Sequence, residues 1–195
     1  MRTCRSPFPM TAQKNMEKQD KPDHLEVGKL RRFRADQEII TVGIADYKVS
    51  SSPDHVLATY ALGSCVGLSL YDRRVGIGGL IHCMLPLGRK EPEKSRRCPA
   101  RFVDTGVMLL LKKLLRRGCR KSDLVAKVAG GATVFKGENL FCIGKRNYTV
   151  VRKILWKNDI LIEASDVLGR ATRTMFLYVA TGQTSVRAGG EEYLL

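Results

Sequence analysis

Several features that mark common protein classes are missing from this sequence of 195 residues. It has no run of 18 apolar residues that would form a membrane-spanning helix, and its first thirty residues contain no signal peptide with an apolar core. It also has no Cys-x-x-Cys pair, so the usual ligand spacing of a structural zinc site is absent. We therefore expect a cytoplasmic protein with reduced thiols and with neither a metal site nor a cofactor.

Acidic residues are scarce relative to basic ones. The chain has 34 Lys and Arg against 19 Asp and Glu, a formal net charge of +15, and its pI is near 9.8. Such a charge favours acidic partners, namely nucleic acid, an anionic membrane face or a negatively charged protein. The basic segment 88–101 contains no aromatic residue and no recognised nucleic-acid-binding motif occurs, so a nucleic-acid-binding module is only a minor alternative.

The apolar pattern divides the chain into two parts. Residues 1–36 carry three of the seven prolines and show no apolar period that would bury a face. We predict that they form a basic, disordered N-terminal tail and that residues 37–195 form one domain.

Strands outnumber helices in the predicted domain. β-branched and apolar runs predict strands at 38–44, 56–62, 66–71, 75–84, 124–129, 160–164, 174–180 and 184–186. The segments 46–56 and 88–101 are predicted to be a connection and an exposed loop. This order favours an α+β fold in which helices cover mixed sheet.

Two amphipathic helices are predicted. One has the helical repeat Val103, Val107, Leu110, Leu111 and Leu114, with Gly118 as its C-terminal cap. The other is predicted to begin at Asn147 as N-cap, with a buried stripe of Val150, Val151, Ile154 and Leu155.

The candidate chemistry centres on Cys65, which follows Gly63 and Ser64, and on His82, which lies 17 residues further on. A cysteine thiol attacks an amide or ester carbonyl when an imidazole takes its proton. We expect an imidazolium at His82 to raise the thiolate fraction of Cys65, and backbone N–H groups of the Gly-Ser turn to face an oxyanion. On spacing alone, a buried cysteine and a structural histidine are the simpler interpretation.

Five segments, taken together, resemble the CheD family of chemoreceptor glutamine deamidases. They are Thr59 with Leu62-Gly63-Ser64-Cys65-Val66, the segment Gly78–Pro86, the segment Ala126–Ala132, the segment Ile143–Asn147, and Asp166-Val167-Leu168-Gly169 with Arg173. The resemblance spans residues 38–188 and leaves the tail outside.

This resemblance implies a Cys-His-Thr site. Cys65 would be the nucleophile, His82 the general base, and Thr59 the residue that orients the imidazole. The implied reaction is a protein-glutamine glutaminase reaction, in which receptor glutamine becomes glutamate through a thioester, and some relatives also hydrolyse receptor methyl esters. The implied fold is two packed mixed β-sheets flanked by helices, in a cysteine-hydrolase arrangement like that of cytotoxic necrotizing factor.

The resemblance also implies partners. These are the cytoplasmic domains of chemoreceptors and a CheC-type phosphatase, with no obligate nucleic acid. A catalytically idle adaptor that binds the phosphatase or the receptors is the alternative function. One departure from the family pattern is Leu168, which stands where a glycine is usual and is expected to alter a turn.

Overall fold

The computed structural model describes residues 37–133 and 142–195, so the predicted tail at 1–36 lies outside the described residues. In chain order the elements are β1 (Glu38–Thr41), β2 (Tyr47–Ser50), β3 (His55–Leu62), β4 (Val66–Asp72), β5 (Ile77–Cys83), α1 (Pro92–Arg97), α2 (Val103–Leu115), β6 (Leu124–Gly130), α3 (Ile143–Lys157), β7 (Ile162–Val167), β8 (Arg173–Tyr178), β9 (Thr184–Ala188) and β10 (Glu191–Leu194).

The strands form two five-stranded mixed sheets. The first sheet has the order β1-β3-β8-β9-β10, with β1 parallel to β3 and the other pairs antiparallel. The second sheet has the order β2-β5-β4-β6-β7, with β6 parallel to β7 and the other pairs antiparallel. The predicted α+β architecture of two mixed sheets with helices is confirmed.

The central strands β4, β5 and β6 of the second sheet are buried on both faces, since nearly all of their residues are buried and successive side chains point to opposite sides. One face packs against α2 and α3. The buried side chains of this layer include Leu68, Ile81, Cys83, Leu110, Leu114, Val151 and Leu155.

The other face of the second sheet packs against the first sheet. The buried side chains of this inter-sheet layer include Leu57, Leu62, Tyr71, Leu80, Met175 and Leu177. This layer encloses the candidate site, so the packing of the two sheets positions its residues.

Most predicted elements are confirmed, but the strand β10 was not predicted and two further segments differ from the prediction. The predicted connection 46–56 contains β2, which pairs with β5 and forms an edge of the second sheet. The predicted loop 88–101 contains α1 between two short 3-10 turns. Pro92 and Pro99 each stand at the start of one of these helical turns, a position where the missing N–H of proline costs nothing.

None of the helices within residues 37–133 and 142–195 combines the length and apolar character needed to cross a bilayer.

Candidate active site

Thr59 and His82 lie on different sheets and are joined by a hydrogen bond. Thr59 belongs to β3 of the first sheet, His82 to β5 of the second, and both are buried. The Thr59 hydroxyl donates to the carbonyl oxygen of Val42 at 2.9 Å, and its oxygen lies 2.8 Å from Nδ1 of His82. Because a hydroxyl has one proton and the carbonyl can only accept, Nδ1 of His82 carries the proton in this contact. The unprotonated nitrogen is therefore Nε2.

Nε2 of His82 is a free acceptor. This atom is buried, and it has no hydrogen-bond partner in the described parts of the chain. Burial lowers the pKa of His82 to about 4, because the imidazolium form loses its hydration. At neutral pH the ring is therefore a neutral base whose lone pair at Nε2 is available for a proton.

Cys65 lies on the inter-sheet side of the second sheet, as His82 does. Cys65 is in the bend immediately before β4, which begins at Val66. Cys83 packs in the layer on the helix side, so the preceding residue of β5, His82, faces the inter-sheet layer. Cys65 is half-buried and packs against the inter-sheet layer, which is also where Thr59 reaches His82.

The charge state of the pair differs from the sequence-based expectation. Burial raises the pKa of the Cys65 thiol, and a hydrogen bond from the residue's own backbone N–H acts in the opposite direction more weakly. Burial also lowers the pKa of His82. Both shifts oppose the expected thiolate–imidazolium pair and favour a neutral thiol and a neutral imidazole.

The loop before Cys65 is fixed by backbone contacts with the end of β6. The carbonyl oxygen of Cys65 accepts a hydrogen bond from the N–H of Gly131 at 2.7 Å, and that of Gly63 accepts one from the N–H of Ala132 at 2.8 Å. Gly130 has a φ of +99°, and a Cβ there would lie 2.4 Å from the Cys65 carbonyl oxygen. Only glycine allows this approach.

The N–H groups of this loop differ in their availability. The N–H of Gly63 donates to the carbonyl oxygen of Ala61 at 2.9 Å, so the prediction that it faces an oxyanion is wrong. The N–H of Cys65 contacts the sulfur of the same residue, whereas no described backbone carbonyl accepts from the N–H of Ser64. Backbone N–H groups beside a nucleophile are the donors that stabilise an oxyanion in acyl-transfer enzymes.

Asn147 holds the cysteine loop against the end of β5. Its Nδ2 donates to the carbonyl oxygens of Ser64 and Met84, both at 2.9 Å, and the side chain is fully buried. Both acceptors are carbonyl oxygens, so the amide orientation is fixed. The prediction that Asn147 caps the helix is wrong, because α3 begins at Ile143 and Asn147 lies in its second turn.

Asn147 is the residue of this site whose role the sequence interpretation missed. A signal was present, since Asn147 precedes Val151 and Leu155 at intervals of four residues and so shares their buried face. A polar side chain on a buried helical face requires a hydrogen-bond partner. That requirement points to a structural contact inside the protein and away from a cap.

The start of α3 packs directly on the backbone of the same region. A Cβ at Gly144 would lie 2.3 Å from the carbonyl oxygen of Gly131 and 2.6 Å from that of Ala132. A backbone carbonyl cannot rotate away as a flexible side chain does, so this position requires glycine.

The turn after β7 supports the end of β6. Leu168 has a φ of +67°, and its N–H donates to the carbonyl oxygen of Gly130 at 2.9 Å. The leucine therefore keeps the left-handed turn that glycine favours, at a cost of about 1 kcal/mol. Arg173 stabilises the turn by donating to the Leu168 carbonyl at 2.8 Å and by pairing with Asp166 at 2.7 Å.

Neither His55 nor Cys83 joins this site. His55 contacts Ser50 at 2.8 Å through Nδ1, and His24 lies outside the described residues. Cys83 follows His82 but belongs to the layer on the helix side of the sheet, as expected for neighbours in a strand. Burial raises the pKa of the Cys83 thiol, which makes it a poor nucleophile.

The sequence matches the family described as CheD chemotactic sensory transduction over residues 84–188. It is similar to the probable chemoreceptor glutamine deamidase CheD of Solibacter usitatus, with 44% identity over 80% of this chain and 92% of the relative. A relative from Syntrophus aciditrophicus, named probable chemoreceptor glutamine deamidase CheD 1, is 40% identical over 77% of this chain and 94% of its own length. For the probable chemoreceptor glutamine deamidase CheD of Pyrococcus abyssi, the identity is 41% over 76% of this chain and 90% of the relative.

Among solved structures, a Neisseria meningitidis protein of the family DUF152 has a TM-score of 0.41 and 10% identity, covering 68% of this chain and 63% of that chain. The sequence relatives are far more similar, and they confirm the resemblance that the five segments predicted. Their identities of 40% or more extend over more than two thirds of the chain and over most of each relative. This chain belongs to the CheD family.

Proposed function

We propose that this protein is a glutamine deamidase that converts glutamines in the cytoplasmic helices of chemoreceptors to glutamate. The observation that carries the proposal is the Thr59–His82 hydrogen bond, which leaves Nε2 of His82 as a free acceptor at the inter-sheet layer against which Cys65 packs. The names of the relatives supply the substrate class, since they are called probable chemoreceptor glutamine deamidases.

The first half of the proposed reaction forms a thioester. The S–H bond of Cys65 breaks as its proton passes to Nε2 of His82, and Sγ bonds to the side-chain carbonyl carbon of glutamine. His82 then gives this proton to the amide nitrogen, the C–N bond breaks, and ammonia leaves. Cys65 remains acylated and His82 is again neutral.

The second half of the reaction releases glutamate. Water gives a proton to Nε2 of His82 while its oxygen bonds to the thioester carbonyl carbon. The C–S bond then breaks, and the proton returns from His82 to the sulfur of Cys65. A glutamyl methyl ester would pass through the same thioester with methanol as the leaving group.

Two features of the site support these proton transfers. Thr59 accepts from Nδ1–H and so keeps Nε2 unprotonated between steps. The N–H of Ser64 is the proposed oxyanion donor, because no described carbonyl occupies it. Because Cys65 and His82 are both neutral before substrate binds, we expect the thiolate and the imidazolium to form only when the substrate carbonyl is in place.

The proposed product carries one more negative charge than the substrate. On a helical bundle a new glutamate alters the repulsion between neighbouring like charges, which shifts the stability of a signalling state. Because the substrate glutamines lie on cytoplasmic helices, the proposal also implies a cytoplasmic protein. Binding of a CheC-type phosphatase stays a prediction from the family resemblance.

The test is incubation of the protein with a purified chemoreceptor cytoplasmic fragment, followed by peptide mass spectrometry. Each converted glutamine gains about one dalton when the amide becomes a carboxylate through the thioester. Conversion by the native protein and none by Cys65→Ala is the expected result. Equal conversion by Cys65→Ala would contradict the proposed nucleophile, and receptor binding without any conversion by the native protein would favour the idle adaptor.

A further inference from the structure

One face of α3 carries several positive charges that point away from the core. The helix contains five cations and no acidic residue. All five side chains are exposed, and none forms an ion pair with a described residue. They are Lys145, Arg146, Arg152, Lys153 and Lys157.

An apolar groove lies beside this charge. It has a volume of about 670 Å³ between α3 and β7, and Tyr148, Arg152, Trp156 and Leu161 line it. Trp156 is 75% exposed and Leu161 is 84% exposed, the two highest values among the large apolar side chains that the structure describes. We call the groove and the five cations of α3 together the α3 surface.

The one acidic side chain of the groove does not neutralise this surface. Glu163 lies 3.3 Å from Nζ of Lys127 and 3.6 Å from the guanidinium of Arg73. Its charge is therefore compensated by cations outside α3. The charge available to an incoming partner is positive, so the complementary partner is acidic.

The α3 surface is connected to the candidate active site through the helix itself. Asn147, which holds the carbonyl oxygen of Ser64, immediately precedes the groove residue Tyr148. Trp156 follows Asn147 by nine residues, and a rise of 1.5 Å per residue places it roughly 14 Å further along the axis. A helical partner that lies along α3 therefore extends from the groove to the cysteine loop over a few of its own turns.

We infer that the α3 surface is a docking site for an acidic helical segment of the chemoreceptor substrate, separate from the residues that perform the chemistry. The apolar side of such a helix packs on Trp156 and Leu161, and its carboxylates face Arg152 and Lys153. This inference rests on the proposed function for the identity of the partner. The α3 surface selects a receptor helix over a free glutamine, because only the helix extends far enough to contact it.

Trp156 provides a direct readout because it is the only tryptophan of the chain. The experiment titrates the Cys65→Ala protein with a tryptophan-free receptor cytoplasmic fragment and records tryptophan fluorescence. Burial of the indole against the receptor is expected to shift its emission to shorter wavelength. In the double variant Arg152→Glu/Lys153→Glu, we expect affinity to fall about tenfold or more and its salt dependence to weaken, because complementary charges are lost.

The chain offers a matched control on another helix. Lys112 and Lys113 are adjacent, exposed cations of α2, so Lys112→Glu/Lys113→Glu changes the net charge by the same amount. This control is expected to bind the fragment like the parent protein. Equal weakening by both double variants, or an unchanged affinity of the α3 variant, would overturn the inference.

Two further measurements separate the alternatives. Binding of a single-stranded oligonucleotide that competes with the receptor fragment and is lost in the α3 variant would overturn the acidic-helix partner. The alkylation rate of Cys65 by iodoacetamide, measured in proteins that retain Cys65, is expected to be equal in the native chain and the α3 variant. If the native protein binds the fragment through α3 but converts no glutamine, the proposed deamidase function fails while the docking surface stands.

Discussion

Asn147 donates a 2.9 Å hydrogen bond to the carbonyl oxygen of Ser64, the residue immediately before Cys65. The same Nδ2 also donates to the carbonyl oxygen of Met84, which lies two residues after His82. One buried amide therefore sets the separation between the segment that presents the thiol and the strand that presents the imidazole. Catalysis by paired groups is sensitive to displacements of about 1 Å, which makes Asn147 a positioning residue.

Replacement of Asn147 by alanine is expected to lower kcat more than KM. The variant leaves two partly buried carbonyl oxygens without a donor, at a cost of about 2 kcal/mol in unfolding free energy, and frees the cysteine loop. Steady-state kinetics on a receptor fragment should show a kcat reduced about tenfold or more with KM changed less than about twofold. Asn158→Ala removes an amide that bonds Ile154 near the end of α3, and serves as the control. An equal loss of kcat in that control would contradict the positioning role.

Replacement of Thr59 by valine tests the tautomer of His82. Valine has nearly the same shape but no oxygen, so Nδ1–H loses its acceptor and the ring no longer has a reason to keep Nε2 unprotonated. We expect kcat to fall about a hundredfold or more, and Thr59→Ser to retain most of the activity. Nitrogen chemical shifts of the His82 ring should report a mixed tautomer in the valine variant only. A single unchanged tautomer in that variant would count against the assignment.

The activity is expected to persist at mildly acidic pH. The proposed general base must be unprotonated, and burial lowers the pKa of His82 to about 4, so the base remains competent as pH falls from 7 to 5. The acid limb of kcat/KM should therefore have its midpoint near pH 4, well below the ordinary histidine value of about 6.5. Initial rates over that range, on a receptor fragment that stays folded, check this. A midpoint near 6.5 would indicate that His82 is solvated in the working enzyme.

Alkylation of Cys65 in the absence of receptor is expected to be slow at mildly acidic pH. Burial raises the pKa of this thiol and the neighbouring imidazole is neutral, so the thiolate is a minor species below pH 8. The rate of iodoacetamide modification of the Cys65 peptide, followed by mass spectrometry, should still be rising at pH 9. A fast rate that is constant between pH 6 and pH 8 would instead reveal a preformed thiolate–imidazolium pair.

Elements with a strong local pattern were predictable from the sequence. The helical repeat from Val103 to Leu114 corresponds to α2, and the two apolar runs after Cys65 correspond to β4 and β5. In each, the spacing of apolar residues alone specifies which face is buried. The position of His82 on the inter-sheet face follows from that hairpin.

Features that depend on distant contacts were not predictable. β2 has only four residues, and although Tyr47 and Val49 favour strands, so short a run does not distinguish a strand from a connection until β5 pairs with it. The raised pKa of Cys65 and the lowered pKa of His82 arise from burial between two sheets, which no local motif encodes. The contact from Asn147 to Ser64 joins residues 83 positions apart. The spacing of Asn147 with Val151 and Leu155 indicates that the side chain is buried, but no local pattern identifies its partner.

The hydrogen bond between Thr59 and His82 also depends on how the two sheets are aligned. At 2.8 Å it tolerates little sliding, since a shift of one or two ångströms takes the two atoms beyond bonding range while each sheet keeps its own ladder. Sliding of one sheet against the other should therefore abolish the activity without unfolding either sheet. Mild heat or dilute urea should abolish turnover while the circular dichroism of the strands is still native, and turnover should return as soon as the sheets re-register.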